Sequence, residues 1–153
     1  YPVLTVHTMA RIAEQTEKGI DYKKIFRDSE FIIRNTVDAI SHATCGMAID
    51  IEAKAIAVCS LSGMTVRMVS RFRCPIDILG ITTDEKTWRK LALSWGVTPA
   101  MSEIFNSLDV LFYTAHKQAQ KTMSLGKGDR IVITGGLING SSGNTNLIKV
   151  ETV

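Results

Sequence analysis

Two segments rich in hydroxyls and glycine hold the residues best suited to grip an anion. The first, Ser60 to Thr65, offers hydroxyls on Ser60, Ser62 and Thr65, a flexible Gly63, and backbone N–H groups at the start of a helical pattern. A helix N-terminus carries unpaired donors and partial positive charge, so this loop is a candidate phosphate cradle. It lacks the lysine of a Walker A loop and is not GxGxxG, and Ser62 acting as a simple helix cap fits the same residues. The second segment, Gly135 to Thr145, has glycines at Gly135, Gly136, Gly140 and Gly143 and can approach a ligand closely. A plain flexible hairpin fits it equally well.

Other chemistry finds less support. His7, His42 and His116 lie far apart, with no second ligand at helical spacing, so no metal site is expected. Cys59 falls in an apolar run and is a poor nucleophile there; Cys45, Cys59 and Cys74 are read together as small hydrophobes. Asp50 and Glu52 flank a helix end without forming an acid/base pair. Arg67, Arg71 and Arg73 follow the first loop and either help to hold an anion or solvate a helix surface.

The elements that must position these residues alternate. Pro2 opens a first helix whose apolar positions Val3, Val6, Met9, Ile12 and Ala13 recur at three- and four-residue steps until Gly19. Asp21 to Phe31 reads as a loop or short helical turn. Val37, Ile40, Ala43, Thr44, Met47, Ala48 and Ile51 fit one face of a second amphipathic helix. Ala55 to Cys59 is a buried strand, and Thr65 to Phe72 a helix. Ile76 to Ile81 is a second strand, followed by Thr82 or Thr83 as N-cap and a helix to Trp95, closed by Gly96. A short strand from Val97 to Ala100, a long helix starting around Ser102 to Ser107, a strand from Arg130 to Thr134 and a last strand from Leu147 to Val153 complete the chain.

This order predicts one α/β domain over residues 1–153, three-layered α/β/α, with a mostly parallel five-stranded sheet and an antiparallel last strand. Both candidate loops leave the carboxyl ends of strands. If the first and fourth strands are neighbours, the loops face each other where strand order reverses, which is where open parallel sheets bind ligands.

Composition bounds the partners. The chain has 153 residues, 45% of them apolar, which is enough for a core without disulfide or metal staples. Its net charge of +3 comes from mixed signs with no basic block, so nucleic acid is not the expected partner. No apolar run is long enough for a membrane helix. The three cysteines, odd in number and without CxxC, fit reduced thiols in a cytoplasm.

Several separated motifs then coincide. The opening Tyr-Pro-Val with Thr-Met-Ala-Arg-Ile-Ala, the run Ala-Val-Cys-Ser-Leu-Ser-Gly-Met-Thr-Val-Arg, Trp95-Gly96-Val97, and Gly128-Asp129-Arg130-Ile131-Val132-Ile133-Thr134-Gly135-Gly136 through Gly143-Asn144-Thr145-Asn146 together resemble the C-terminal domain of pyruvate kinase, in its bacterial form. The resemblance spans the chain. It implies a piece that follows the catalytic barrel of an enzyme moving phosphate from phosphoenolpyruvate to ADP, with residues 1–20 as a leading helix at the barrel boundary. The family's catalytic residues and its Mg²⁺ and K⁺ sites lie in that barrel. For this chain alone the resemblance therefore implies no catalytic residue, no metal and no cofactor, and no activity.

The resemblance further implies an effector site for a phosphorylated sugar or nucleotide monophosphate at Ser60, Ser62, Gly63, Met64 and Thr65, with Gly136, Gly140, Ser142 and Gly143. Leu61 and Met64 stand where some members carry charge, which favours a monophosphate. It implies a cytoplasmic homo-oligomer, commonly a homotetramer, with an interface at the long helix and the last strand. A free-standing module for a phosphorylated metabolite is the alternative, and an interaction element whose effector site has decayed is a third possibility.

Overall fold

The computed structural model describes residues 1–136 and 145–153. At its centre is β1 (Ala55–Cys59), five consecutive buried residues. An unbroken apolar run of this length is stable only where both faces of a strand are covered, and β1 is flanked by parallel neighbours on each side. The other strands are β2 (Asp77–Thr82), β3 (Val97–Met101), β4 (Arg130–Gly135) and β5 (Leu147–Thr152), in the order β3-β2-β1-β4-β5. All pairings are parallel except β4 with β5, so the expected sheet is the observed one. The edge strand β3 carries Pro99, which discourages further pairing, and the other edge strand, β5, carries Lys149 and Glu151.

The described residues form six helices: α1 (Pro2–Glu17), α2 (Tyr22–Asp28), α3 (Thr36–Asp50), α4 (Met64–Arg71), α5 (Glu85–Leu91) and α6 (Leu108–Thr122). Alternation along the strands sends Ile56, Val58, Ile78 and Val132 to a face shared with Phe26 of α2, Cys45 and Ala48 of α3, Val66 and Val69 of α4, and Leu91 of α5. Ala57, Leu79, Ile81, Ile131 and Ile133 point the other way, under Leu111, Ala115 and Ala119 of α6. Gly80 lets α4 rest on β2, because a Cβ there would lie 2.9 Å from Val66 Cγ1.

Three local expectations need correction. The buried side of α3 is Asp38, Ser41, Thr44, Cys45, Ala48 and Ile49, so the expected stripe is rotated: Val37 and Ile40 are half-buried, while Ala43 and Met47 are exposed. Small side chains permit close packing; Thr44 and Asp38 find partners, while the buried Ser41 hydroxyl has none among the described residues. The Thr44 hydroxyl donates to the Ile40 carbonyl at 2.7 Å, and Asp38 accepts from the Arg34 N–H at 3.2 Å and faces Arg71 at 3.8 Å. The N-cap of α5 is Asp84, whose carboxylate accepts from the Thr87 N–H at 2.7 Å. Thr82 instead ends β2. Finally, α5 stops at Leu91, because Leu93 and Ser94 close tighter turns onto Lys90 and Leu91 before Gly96 turns the chain at φ +67°.

The first helix forms as expected, with Pro2 in its first turn, yet none of its residues is buried in the described structure. Its apolar stripe of Val3, Val6, Met9 and Ile12 faces outward.

Candidate anion-binding crevice

The chain leaves β1 toward β2 and leaves β4 toward β5, so the gap between β1 and β4 is where strand order reverses. Both candidate loops open from the same rim of that gap. The first is short and pinned. Ser60 continues the ladder with its N–H on the Ile81 carbonyl at 2.9 Å, and the Thr82 hydroxyl donates to the Leu61 carbonyl at 3.0 Å. Gly63 follows at φ +70°, ψ 5°, a conformation that costs other residues about 1–2 kcal/mol. A Cβ there would also meet Thr87 Cγ2 at 2.9 Å and Leu91 Cδ2 at 3.1 Å, so glycine is needed for both backbone and space.

Gly63 is the N-cap of α4, and no side chain caps that terminus among the described residues. Ser62 is exposed and does not serve as the cap. The first-turn N–H groups, at Met64 and the residues after it, precede the first intrahelical bond, which runs from the Arg67 N–H to the Gly63 carbonyl at 3.1 Å. Met64 is itself exposed.

The second loop is tied to the first. Thr65 and Thr145, 2% and 6% exposed, share a hydrogen bond of 2.6 Å between their hydroxyls. The exit from β4 is fixed by the Thr134 hydroxyl on the Leu147 carbonyl at 2.9 Å and by the Asn146 N–H on the Gly135 carbonyl at 3.0 Å. Gly136 is half-buried at this exit. Gly140, Ser142 and Gly143 lie outside the described residues. Sequence reasoning missed the anchoring roles of Thr82 and Thr145. The available signal was a threonine at the end of a strand or of a glycine-rich stretch, where its hydroxyl can tie a loop down.

The arginines divide. Arg67 is exposed on α4. Arg71 faces Asp38 at 3.8 Å and lies 4.9 Å over the Phe72 ring, and Arg73 sits 5.0 Å over the Trp95 ring. These last two belong to the far end of α4 and are engaged away from the crevice.

The histidines are dispersed as well. His7 is exposed on α1, His42 stacks on Phe26 at 5.0 Å, and His116 Nδ1 is 2.8 Å from Glu151 Oε2. Among the described residues no cluster of three or more His, Cys, Asp or Glu could hold a metal ion. All three cysteines are buried free thiols. Burial pushes Cys59 up to about 12, so it stays protonated at neutral pH. Cys45 is also raised, chiefly by its hydrogen bond with Cys74 and then by burial.

Residues 38–151 match the family model for the alpha/beta domain of pyruvate kinase. The whole chain aligns with the pyruvate kinase of Clostridium acetobutylicum at 40% identity, covering 33% of that protein. It aligns with those of Staphylococcus epidermidis at 36% and Staphylococcus aureus at 35%, covering 26% of each. The chain thus spans a third or less of the length of the curated relatives it matches. With the matched residues running from α3 through β5 and carrying the crevice, the chain belongs to the pyruvate kinase alpha/beta domain family.

Proposed function

We propose that this chain is the regulatory and assembly domain of a pyruvate kinase, which transfers phosphate from phosphoenolpyruvate to ADP, and that the crevice seats the phosphate of a sugar phosphate or nucleoside monophosphate effector. The observation that carries this reading is the Thr65–Thr145 bond, which joins the two loops beside the open N-terminus of α4. The phosphate accepts from first-turn N–H groups and from the hydroxyls of Ser60 and Ser62, and Gly63 allows close approach. Gly136, at the exit from β4, stands on the opposite side, and Gly140, Ser142 and Gly143, assigned to the site by the resemblance, lie outside the described residues. Among the described residues of α4, Arg67 is the cation closest in sequence to Gly63, which suits one phosphate better than two.

Bond-making belongs to the upstream barrel, with Mg²⁺ and K⁺ held there, and this chain alone has no activity. The outward apolar stripe of α1 favours attachment to that barrel over a free-standing metabolite-binding module. The enzyme works in the cytoplasm as a homo-oligomer, assembling through α6 and β5. No helix among the described residues is long and apolar enough to cross a membrane.

Calorimetric titration of the full-length protein with AMP, glucose 6-phosphate and inorganic phosphate tests the site. Binding by at least one organic phosphate, weakened about tenfold or more by Ser62→Ala at unchanged melting temperature, is expected. Absence of heat with all three probes, or equal affinity in the variant, would reject the site.

A further inference from the structure

Four residues from three segments converge on Trp95, between α5 and β3. Its indole N–H donates to Glu17 Oε1 on α1 at 3.3 Å. The Tyr22 ring of α2 packs on it at 5.1 Å, and the Arg73 guanidinium lies 5.0 Å over it. Its carbonyl accepts from the buried Ser70 hydroxyl of α4 at 2.7 Å. Among the described residues, Glu17 makes the one side-chain hydrogen bond from α1 to the rest of the domain.

Arg73 is held in a conformation that favours glycine. It sits just past the end of α4 at φ +51°, where a side chain costs roughly 1–2 kcal/mol. Glycine is the usual occupant of such a position after a helix. An arginine there gains nothing for the turn; its gain is the contact of its side chain with Trp95.

The other end of α4 is Gly63. The helix is eight residues, about 12 Å, long, with Val66 and Val69 fully buried. The close approach of Val66 to Gly80 blocks motion into the sheet, so a push at Gly63 moves α4 along its axis as a unit. That motion arrives at Ser70 and Arg73, both on Trp95.

We propose that Trp95 is a positioning residue coupling the crevice to α1. An effector at the Gly63 end shifts α4, and Trp95 passes the shift through Glu17 to the trailing end of α1, changing how that helix meets the remainder of the enzyme. This rests on the reading of the crevice as a phosphate seat, and it adds the route by which occupancy is transmitted.

The test uses the full-length enzyme with AMP and glucose 6-phosphate as probes. Probe affinity is measured by calorimetry, separately from the fold-change each probe makes in the half-saturating phosphoenolpyruvate concentration. Glu17→Ala, Trp95→Phe and Arg73→Gly should bind the probe within about twofold of the parent, while the fold-change falls by about threefold or more. Glu17→Gln should keep the response, because its amide oxygen still accepts the indole N–H. Arg73→Gly also relieves the backbone, so it should melt no lower than the parent; a lost response at undiminished stability is not what a purely structural contact gives. Variants that bind the probe and respond like the parent would overturn the coupling role, as would a parent that binds a probe without any response. A parent that binds neither probe would overturn the crevice reading, and the coupling with it.

Discussion

Thr65 and Thr145 are 80 residues apart in sequence, yet their hydroxyls lie 2.6 Å from each other in the interior. One sits in the first turn of α4 and the other just before β5, so this bond fixes the width of the crevice. Their interdependence is measurable. Replacing either threonine with valine leaves the other hydroxyl buried and unpaired, at a cost of about 1–3 kcal/mol, whereas replacing both is close to neutral. A double-mutant cycle by urea denaturation should show the two single changes far from additive.

Gly63→Ala should be among the most damaging single-methyl changes in the domain. The left-handed backbone costs roughly 1–2 kcal/mol, and the new methyl meets Thr87 and Leu91 of α5 at an added ~1–3 kcal/mol. For a chain of this size each kcal/mol lowers the melting temperature by about 2–4 °C, which differential scanning calorimetry resolves. Gly128→Ala shares the positive φ without the steric neighbours and should cost less.

Glu151 supplies a pH signature. Partial burial pushes its carboxyl up, but hydrogen bonds from Lys149 and His116 outweigh this and hold it below the usual value. A carboxylate depressed in the folded state contributes stability that is fully present above its unfolded pKa and is lost as pH falls through the folded one. Melting temperatures from pH 6 down to pH 3 should therefore fall less steeply for Glu151→Gln than for the parent. Parallel curves would disprove the contribution.

The cysteines should be silent to thiol reagents. Cys45, Cys59 and Cys74 are all buried, and Cys59 stays protonated well above neutral pH. Ellman's reagent at pH 8 should label none of the three within the time in which urea-unfolded chain releases three equivalents. Rapid labelling of native protein would contradict their role as core residues.

How much of this was legible in the sequence depended on how many homes a segment could have. Ala55 to Cys59, apolar throughout and bounded by polar residues, fits the centre of a parallel sheet and little else, and the elements around it follow from alternation. The buried face of α3 departs from its apolar stripe because apolarity alone does not mark burial there. Here close approach selected Ser41, Cys45 and Ala48, and Asp38 entered with partners from Arg34 and Arg71, while Met47 was left outside. At the crevice, glycine and serine in the loops were readable as types suited to an anion. The anchors Thr82 and Thr145 were not, because each acts through a tertiary partner, Leu61 or Thr65, that no local spacing reveals.

The two faces of the sheet are unequally defended: among the described residues four helices bear on one, and α6 is the one helix on the other, through Leu111, Ala115 and Ala119 with Phe105 beside it. Undocking that single helix uncovers Ala57, Leu79, Ile131 and Ile133 at one stroke. The amides of the central strands should then share one opening free energy with α6 in native-state hydrogen exchange, and a sequence drifting at Ala115 or Ala119 would lose half its core in a single event.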